Sequence, residues 1–524
     1  MRGTIGPTRS LVYWVEFNPP FKVSRKPALN DRKESPRDAQ SAQWRWVAAA
    51  AWMAIFLLCL LRFSYLKADF PNFSPWMDDQ AKFTDEGWWA SGAVMHHLLG
   101  HWNVPGDYNP GAALPVWPLL LSIVFHFTGI SLTAARALNV GISVSTLGVV
   151  FLLVRRSTGS APALLSALLL ASSPFAFAFS RLAILDSLIA FEFCLHLLVA
   201  SCASAKRFWP LPALTALVTT MILTKTTSAV LLPAVFWLAW QARGRNIAGF
   251  LRLLLADAVL PAALLAAYEL LVSKLGYGVD YHYFFSVNRM PVIAWDQTLA
   301  TIWQLLCNCF WVDRILYPIG LVAGLLSLVW MRRLWRNPLF AAAWIALLAQ
   351  AGFLFSRQDD FGPRYFLVLL VPLVLVVVLT WDALATQHKK AAAALLLALG
   401  SAAVLNTATI CQFLAHRQYQ YCDAAASIRK IVLSDPRQKP LILGVSGAQI
   451  SLMAGIPSIN DFMGSENIAQ KIMRDQPGWY LVWNSIDSDN AEMLSAFQLE
   501  EVARYPVFDN QDRDQLILYK MALR

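Results

Sequence analysis

Long apolar runs separated by short polar connections fill most of this 524-residue chain. Between residues 46 and 414 each run has about 16–24 residues, close to the length with which an α-helix crosses roughly 30 Å of hydrocarbon. The pattern predicts eleven crossings, at 46–66, 132–154, 161–179, 187–205, 209–223, 226–241, 250–273, 312–331, 338–355, 365–380 and 391–414. A further embedded helix at 300–310 is an open alternative. The predicted fold class is therefore an all-α polytopic membrane bundle of about 11–13 transmembrane helices.

The segment 110–129 decides the topology. It is apolar but interrupted by Pro110, Pro115 and Pro118, so it can be a full crossing or an interfacial or re-entrant segment. A full crossing would place Arg155 and Arg156 outside, whereas the second choice places five basic clusters on the inner side of the membrane, as expected of cytoplasmic loops. The clusters are Arg155/Arg156, Lys206/Arg207, Arg243/Arg245/Arg252, Arg332/Arg333/Arg336 and His388/Lys389/Lys390. This choice predicts a cytoplasmic N-terminus and a C-terminus on the outer face.

The polar segments divide the chain into three parts. Residues 1–45 carry nine Lys or Arg against four Asp or Glu, which predicts a cytoplasmic basic tail before the transmembrane part at 46–414. Within that part, the first loop at 67–111 has six acidic residues against two lysines, as expected outside. From residue 415 the composition becomes that of a soluble protein. Strands predicted at 440–445, 479–483 and 515–519, with helices at 421–433 and 491–497, indicate a small C-terminal α/β domain over 415–524.

Composition agrees with a membrane protein. The chain is 57% hydrophobic and 15% charged, against about 25% charged in soluble domains. The formal net charge of +10 arises from the basic loops, so it does not predict nucleic-acid binding. The seven cysteines lie mostly in apolar runs and lack zinc-site spacing.

Several charged groups are predicted on the same outer face. They are Asp85 and Glu86 in the first loop, Arg181 and Asp186, Lys225, and Arg357, Asp359, Asp360 and Arg364 with Tyr365. A charge at mid-bilayer costs about 2.5–3.5 kcal/mol or more, so such groups rarely stand at a membrane margin without a function. Carboxylates and cations that converge there predict a site for an anionic, membrane-bound substrate.

The order of these motifs resembles a known family. Asp85-Glu86 in the first outer loop, Arg181-Leu182-Ala183 followed by Asp186, the Thr224-Lys225 turn and Pro363-Arg364-Tyr365-Phe366-Leu367 are similar to motifs of the GT-C glycosyltransferases. Within that family the chain resembles the bacterial branch related to protein O-mannosyltransferases and to the aminoarabinose transferase of lipid A. The resemblance covers residues 46–414 and places the protein in the bacterial inner membrane, with the C-terminal domain in the periplasm.

What the resemblance implies is a glycosyltransferase. It would take a polyprenyl-phosphate-linked sugar as donor and transfer the sugar with inversion to a lipid, glycan or protein acceptor. By their motif positions Asp85, Glu86 and Asp186 are the catalytic carboxylates, with Asp85 as the base. Lys225, Arg364, Arg181 and Tyr365 bind the donor phosphate. Some branches of the family use a divalent metal and others use none, so no cofactor is certain.

Other interpretations stay open for each group. Asp85 and Asp186 could cap the helices that begin there, and Glu86 could face solvent. Lys225 and Arg364 could merely reach the headgroups. His97 and His101, spaced i and i+4, are weak metal candidates that could equally lie on a wetted helix face. For the whole protein, the alternatives are a polyprenyl-phosphate or lipid transporter, or flippase, and a scaffold that displays the outer domain.

Overall fold

In a computed structural model the chain is described over residues 37–71, 79–289, 313–330, 332–356, 362–486, 497–508 and 514–523, with isolated positions between some of these ranges. Ala48–Arg524 forms one compact unit and Met1–Val47 another. Three predicted features lie wholly or mostly outside the described residues: the tail up to residue 36, the charged group Arg357, Asp359 and Asp360, and the additional helix at 300–310.

The described residues of the membrane part are mostly helical. Its helices are α1 (Arg37–Arg62), α2 (Asp85–Leu99), α3 (Pro110–Ala113), α4 (Val116–Thr128), α5 (Leu132–Ser157), α6 (Ser160–Ser172), α7 (Pro174–Ser180), α8 (Asp186–Ser201), α9 (Pro210–Thr224), α10 (Leu232–Ala242), α11 (Ile247–Leu254), α12 (Leu260–Lys274), α13 (Gly278–Val287), α14 (Leu316–Trp330), α15 (Pro338–Phe355), α16 (Leu367–Gln387) and α17 (Lys389–Ala415). A π-helical turn, Leu255–Val259, joins α11 to α12. Helix α1 begins at Arg37, inside the segment that the sequence assigns to a tail.

Each of the eleven predicted crossings coincides with a helix or with consecutive helices. Among the described residues, six helices are long and apolar enough to cross a membrane, and a seventh span results if the bent pair α6–α7 counts as one. Four shorter apolar helices lie beside them, one of which is α4. The predicted all-α membrane bundle is therefore confirmed.

Helix α16 lies at the centre of the bundle. Its residues from Leu367 to Thr380 are all buried, which explains the uninterrupted apolar run in the sequence. Helix α1 shows the opposite pattern, because Phe56, Leu57 and Leu60 are about half exposed, as expected of side chains that face lipid.

A buried arginine holds the break between α6 and α7. The two helices are bent by 62° relative to each other, and Pro174 interrupts the helical hydrogen bonding between them. Such a break leaves carbonyl groups at the end of α6 without helical partners. Arg62, the last residue of α1 and fully buried, donates from Nη2 to the carbonyls of Leu170 and Ala171 at 2.8 and 3.1 Å. The end of α1 thus caps α6.

The C-terminal region forms a five-stranded mixed sheet with helices. Its strands are β1 (Ile442–Leu443), β2 (Ser458–Ile459), β3 (Trp479–Trp483), β4 (Phe497–Pro506) and β5 (Gln515–Leu523), in the order β2-β1-β3-β5-β4. Strand β1 pairs in parallel with β2 and β3, whereas β5 is antiparallel to β3 and β4. The helices are α18 (Gln420–Ser434), α19 (Gly447–Ala454) and α20 (Ile468–Asp475). The predicted α/β character is confirmed.

One predicted element of that region lies mostly outside the described residues. The sequence indicates a helix at 491–497, of which residues 491–493 and 495–496 are not described, and its last residue, Phe497, begins strand β4 instead. Strand β4 is a sheet edge on which Glu500 and Glu501 are exposed. Charged residues protect such edges from further pairing, and they also hide the strand from a search for apolar runs.

The C-terminal region packs directly on α2. The backbone N–H of Gly87 donates to Gln449 Oε1 at 2.7 Å, and Trp88 Nε1 donates to the carbonyl of Val445 at 3.0 Å. A second contact joins Lys471 Nζ to Asp107 Oδ1 at 2.8 Å, with both side chains buried. Helix α2 is therefore held from both the membrane bundle and the α/β region.

Gly87→Ala should loosen this junction. A Cβ at Gly87 would lie 2.2 Å from the backbone nitrogen of Gln449, so the two backbones would have to separate. We expect a loss of about 1–3 kcal/mol of stability, typical of overpacking, with faster proteolysis of the C-terminal region. Gly92→Ala on the same helix is the matched control, since a Cβ there would meet no atom closer than 3.4 Å. Equal thermal stability of the two variants in detergent would contradict the prediction.

Candidate functional site

Four of the predicted site residues stand at helix ends that meet in one place. Asp85 is the first residue of α2 and Asp186 the first residue of α8. Lys225 follows the last residue of α9, and Arg364 lies in the 3₁₀ turn Pro363–Phe366 that opens α16. Helix ends carry unpaired backbone groups and suit polar side chains, which is why the membrane sequence places its charges there.

Arg364 joins two carboxylates. Its Nε lies 3.3 Å from Asp85 Oδ2. Its Nη1 pairs with Asp79 Oδ1, and its backbone N–H donates to Asp79 Oδ2 at 3.0 Å. The side chain of Arg364 is 13% exposed, and those of Asp85 and Asp79 are 9% and 0% exposed. The guanidinium is thus fixed on one side by Asp79 and adjoins Asp85 on the other.

Lys225 and Asp186 form a second ion pair, which joins the pair of Arg364 and Asp85 in one group, called here the Asp85 cluster. The Nζ of Lys225 lies 3.0 Å from Asp186 Oδ1 and 4.4 Å from the centroid of the Tyr365 ring. The Arg364 guanidinium carbon lies 5.0 Å from the same ring. Tyr365 therefore contacts both cations, and these distances permit cation–π attraction to each of them.

This geometry tests whether Asp85 and Asp186 cap the helices that they open. Thr84 and Leu185 occupy the N-cap positions of α2 and α8, and neither helix has a side-chain capping bond. Asp85 and Asp186 instead face Arg364 and Lys225. Neither carboxylate is a helix cap, so the sequence's capping alternative is wrong for both.

The environment of Asp85 also changes its acidity. Burial raises the pKa of Asp85 above its ordinary value of 3.8, and the nearby guanidinium of Arg364 opposes that rise. Asp79 and Asp186 raise the pKa further by charge repulsion, whereas Lys225 lowers it. A carboxylate whose pKa is raised towards neutrality is a stronger base than an ordinary aspartate.

The structure gives Glu86 a different partner. Its two oxygens accept from Arg136 Nε and Nη2 at 2.7 and 2.6 Å. The Ala183 N–H and Gln449 Nε2 donate to the same carboxylate at 2.8 and 3.2 Å. Glu86 is fully buried. The structure therefore does not bring Glu86 to the Asp85 cluster, and its hydrogen-bonding capacity is occupied by a structural ion pair.

Arg181 and the two histidines are also placed elsewhere. The Arg181 guanidinium donates to the carbonyls of Ser64 and Tyr65 at 2.6 and 2.7 Å, beyond the end of α1. His97 and His101 are exposed, and His101 Nδ1 lies 2.8 Å from the carbonyl oxygen of Asn103. Within the described ranges, no group of three or more His, Cys, Asp or Glu side chains is arranged to hold a metal ion.

Two components of the cluster escape sequence reasoning. Asp79 is one of several acidic residues in the first loop, and nothing in the sequence separates it from Asp78. A small internal space beside Lys225 is lined by Thr227, Ser228 and Gln350. Gln350 lies in the middle of the apolar helix α15, so a polar residue inside an apolar run was the available signal.

Part of the chain matches a known protein family. Residues 109–273 match the family model described as dolichyl-phosphate-mannose-protein mannosyltransferase. That segment contains Asp186 and Lys225 but neither Asp85 nor Arg364. No curated protein matches the chain.

Solved structures resemble nearly the whole chain. ArnT from Cupriavidus metallidurans matches in the apo state with a TM-score of 0.61 and 15% identity, over 90% of this chain and 98% of that chain. The same protein bound to undecaprenyl phosphate matches with a TM-score of 0.61 and 15% identity, over 91% of this chain and 98% of that chain. The archaeal oligosaccharyltransferase AglB from Archaeoglobus fulgidus, in complex with an inhibitory peptide and a dolichol-phosphate, matches with a TM-score of 0.50 and 12% identity, over 90% of this chain and 74% of that chain. At such identities the likeness establishes the fold, which is the GT-C fold of a multi-pass membrane protein.

Proposed function

We propose that this GT-C-fold protein is an integral membrane glycosyltransferase. It transfers a sugar from a polyprenyl-phosphate-linked donor, with inversion, to a lipid, glycan or protein acceptor. The site faces the periplasm of a bacterial inner membrane. The observation that carries the proposal is the buried cluster of Asp85, Arg364, Lys225 and Asp186 at one set of helix ends. Two of the structures that share the fold contain undecaprenyl phosphate and a dolichol-phosphate.

The cations suit a phosphate leaving group. When the bond between the sugar and the phosphate breaks, negative charge grows on the phosphate oxygens, and fixed cations in a water-poor site stabilise that charge. Lys225 and Arg364 are already positioned by Asp186 and Asp79, so little reorganisation is needed during reaction. A phosphate is a good leaving group, so the mechanism requires no strong general acid.

Asp85 supplies the base. In an inverting transfer the acceptor attacks the sugar from the side opposite the phosphate, and a carboxylate there removes the acceptor proton. Asp85 has no helix-capping role, and its pKa is raised by burial. Its neighbour Arg364 opposes that rise in pKa and contacts the same Tyr365 ring as the second cation, Lys225.

The proposal is tested with purified protein in lipid nanodiscs. A panel of radiolabelled polyprenyl-phosphate sugars is supplied together with extracted membrane lipids, glycans or proteins, and transfer of label is measured. In intact cells, an impermeant maleimide on single cysteines tests the side: a cysteine at Lys67 should react from outside, and one at Arg156 should not. Movement of donor across the bilayer of sealed proteoliposomes without transfer would favour a transporter instead.

Lys225→Met should weaken donor binding as well as the transfer rate. A phosphate is charged in both the ground and the transition state, so its cation contributes to both. Losing one charge-assisted contact worth about 1.5–3 kcal/mol predicts a roughly 10- to 100-fold weaker donor affinity. Lys225→Arg should retain most of the affinity. Lys67→Met, which removes an exposed loop lysine, is the matched control, and an equal loss there would contradict the assignment.

The pH dependence of single-turnover transfer should report the ionisation of Asp85. The base acts only when deprotonated, so the rate should fall as the pH drops through its pKa. Because burial raises that pKa, the acid limb should have its midpoint above 3.8. The rates are measured between pH 4 and 8 on protein shown to stay folded. A transfer rate that stays constant down to pH 4 would contradict the assignment.

A further inference from the structure

A second polar pocket lies at the other end of α9. It is formed by the connection between α8 and α9, the first half of α9, and the segment from the end of α10 to the start of α12. Helix α9 has 15 residues, a length of roughly 22 Å, and Lys225 follows its opposite end. The pocket is therefore separate from the Asp85 cluster.

Four cations line this pocket: Lys206, Arg207, Arg243 and Arg252. In the described part of the chain none of them has a carboxylate within ion-pair distance. Arg243 is 3% exposed, and its Nε and Nη1 have no hydrogen-bond partner there. A buried guanidinium without partners is costly, so this arrangement favours an anion as the missing partner.

The remaining wall is mainly apolar. Phe208, Leu211, Leu255 and Leu260 line the pocket, and Phe208 is 78% exposed beside the cations. The pocket volume is about 540 Å³, within the range of about 300–1,000 Å³ that is usual for ligand pockets. A free inorganic anion would contact only the cations, whereas a lipid would contact both the cations and the apolar wall.

The backbone of the apolar wall is unusual. It contains the π-helical turn Leu255–Val259, a rare conformation that is often found at functional sites. Thr215 Oγ1 donates to the carbonyl of Ala256 at 2.8 Å, which fixes this turn against α9. The wall is thus built from both helices and does not depend on a single surface loop.

We propose that this pocket binds one anionic phospholipid of the surrounding bilayer. The phosphate lies against Arg243 and its three neighbouring cations, and an acyl chain lies along the leucines. Basic pockets between membrane helices recognise lipid headgroups in this way. The proposal stands independently of the transferase activity, because it uses neither Asp85 nor Lys225.

Native mass spectrometry and thermal unfolding of the full chain test this site. The probes are phosphatidylglycerol, phosphatidylcholine and inorganic phosphate, each added to delipidated protein in detergent. We expect one retained phosphatidylglycerol per chain, a rise in Tm with that lipid only, and an affinity lower by about 10-fold in Arg243→Gln, as for one lost charge-assisted contact. Without lipid, Arg243→Gln should unfold at the same temperature as the wild type or higher, because an unpaired buried charge is removed.

Two further variants keep the test decisive. Arg207→Gln with Arg252→Gln changes two exposed cations and should weaken retention without affecting folding. Arg155→Gln with Arg156→Gln removes two exposed cations from another basic cluster and should leave retention unchanged. Equal retention of phosphatidylglycerol in every variant would overturn the proposal. Stabilisation by inorganic phosphate that matches the lipid effect would overturn the lipid assignment.

Discussion

Asp85→Asn is expected to lower single-turnover transfer by at least about 100-fold, the lower end for loss of a general base. Asn keeps the shape of the side chain and an oxygen that can accept from Arg364, but it cannot take the acceptor proton. Donor affinity should not fall, because Arg364 retains Asp79 and loses only a competing negative charge. Donor affinity and transfer are measured on the same preparations.

A loss of transfer rate without a loss of donor affinity would distinguish a catalytic role of Asp85 from a structural role and from a role in transport. A scaffold or transporter predicts no selective loss of transfer, and a structural role predicts a lower Tm. Thr84→Ser, at the preceding position and without a capping bond to lose, is the matched control and should retain transfer. Near-normal transfer by Asp85→Asn would move the base assignment to Asp186.

Arg136→Met should lower the free energy of unfolding by about 3–5 kcal/mol, because it leaves the Glu86 carboxylate buried without its cation. The pair is tight, with Nη2 and Oε2 2.6 Å apart and side-chain exposures of 5% and 0%. The guanidinium also donates to the carbonyls of Leu66 and Ala68 at 2.8 Å, so those groups would lose a partner too. Thermal unfolding in detergent and the yield of folded protein measure the effect.

A double variant distinguishes the ion pair from simple packing. Replacing both partners with apolar residues removes the uncompensated charge, so Glu86→Met with Arg136→Met should recover part of the lost stability. Arg156→Met, at an exposed position of the same helix α5, is the control and should cost little. A double variant less stable than Arg136→Met alone would show that the pair is not what stabilises this junction.

The sequence predicted the helices well because lipid requires apolar lateral surfaces, and the run lengths follow from membrane thickness. It also placed Asp85, Asp186, Lys225 and Arg364 in one site, since charges at helix ends on one face must share a polar environment. The contacts of Arg181 and Glu86 could not be inferred from the sequence in this way. Adjacent residues such as Asp85 and Glu86 point in different directions on a helix, and only tertiary contacts show where each direction leads.

The sequence also did not show the roles of polar residues that lie inside apolar runs. Arg136 and Arg62 lie within or at the end of predicted crossings, and the sequence does not show that one binds Glu86 while the other caps α6. Strand β4 was missed for a related reason, because its exposed glutamates break the apolar alternation. For both arginines the partner is distant along the chain, so the local sequence pattern carries no signal for it.

The contact between Gly87 and Gln449 has a consequence for biosynthesis. The two residues are 362 positions apart, so the helix that begins with the proposed base is made long before its second support exists. Domains fold in the order of their synthesis at roughly 5–20 residues per second, which leaves this helix incompletely held for some tens of seconds. A nascent chain would therefore occupy the membrane before the candidate site is complete, and the proposed transfer would begin only after the C-terminal strands have docked.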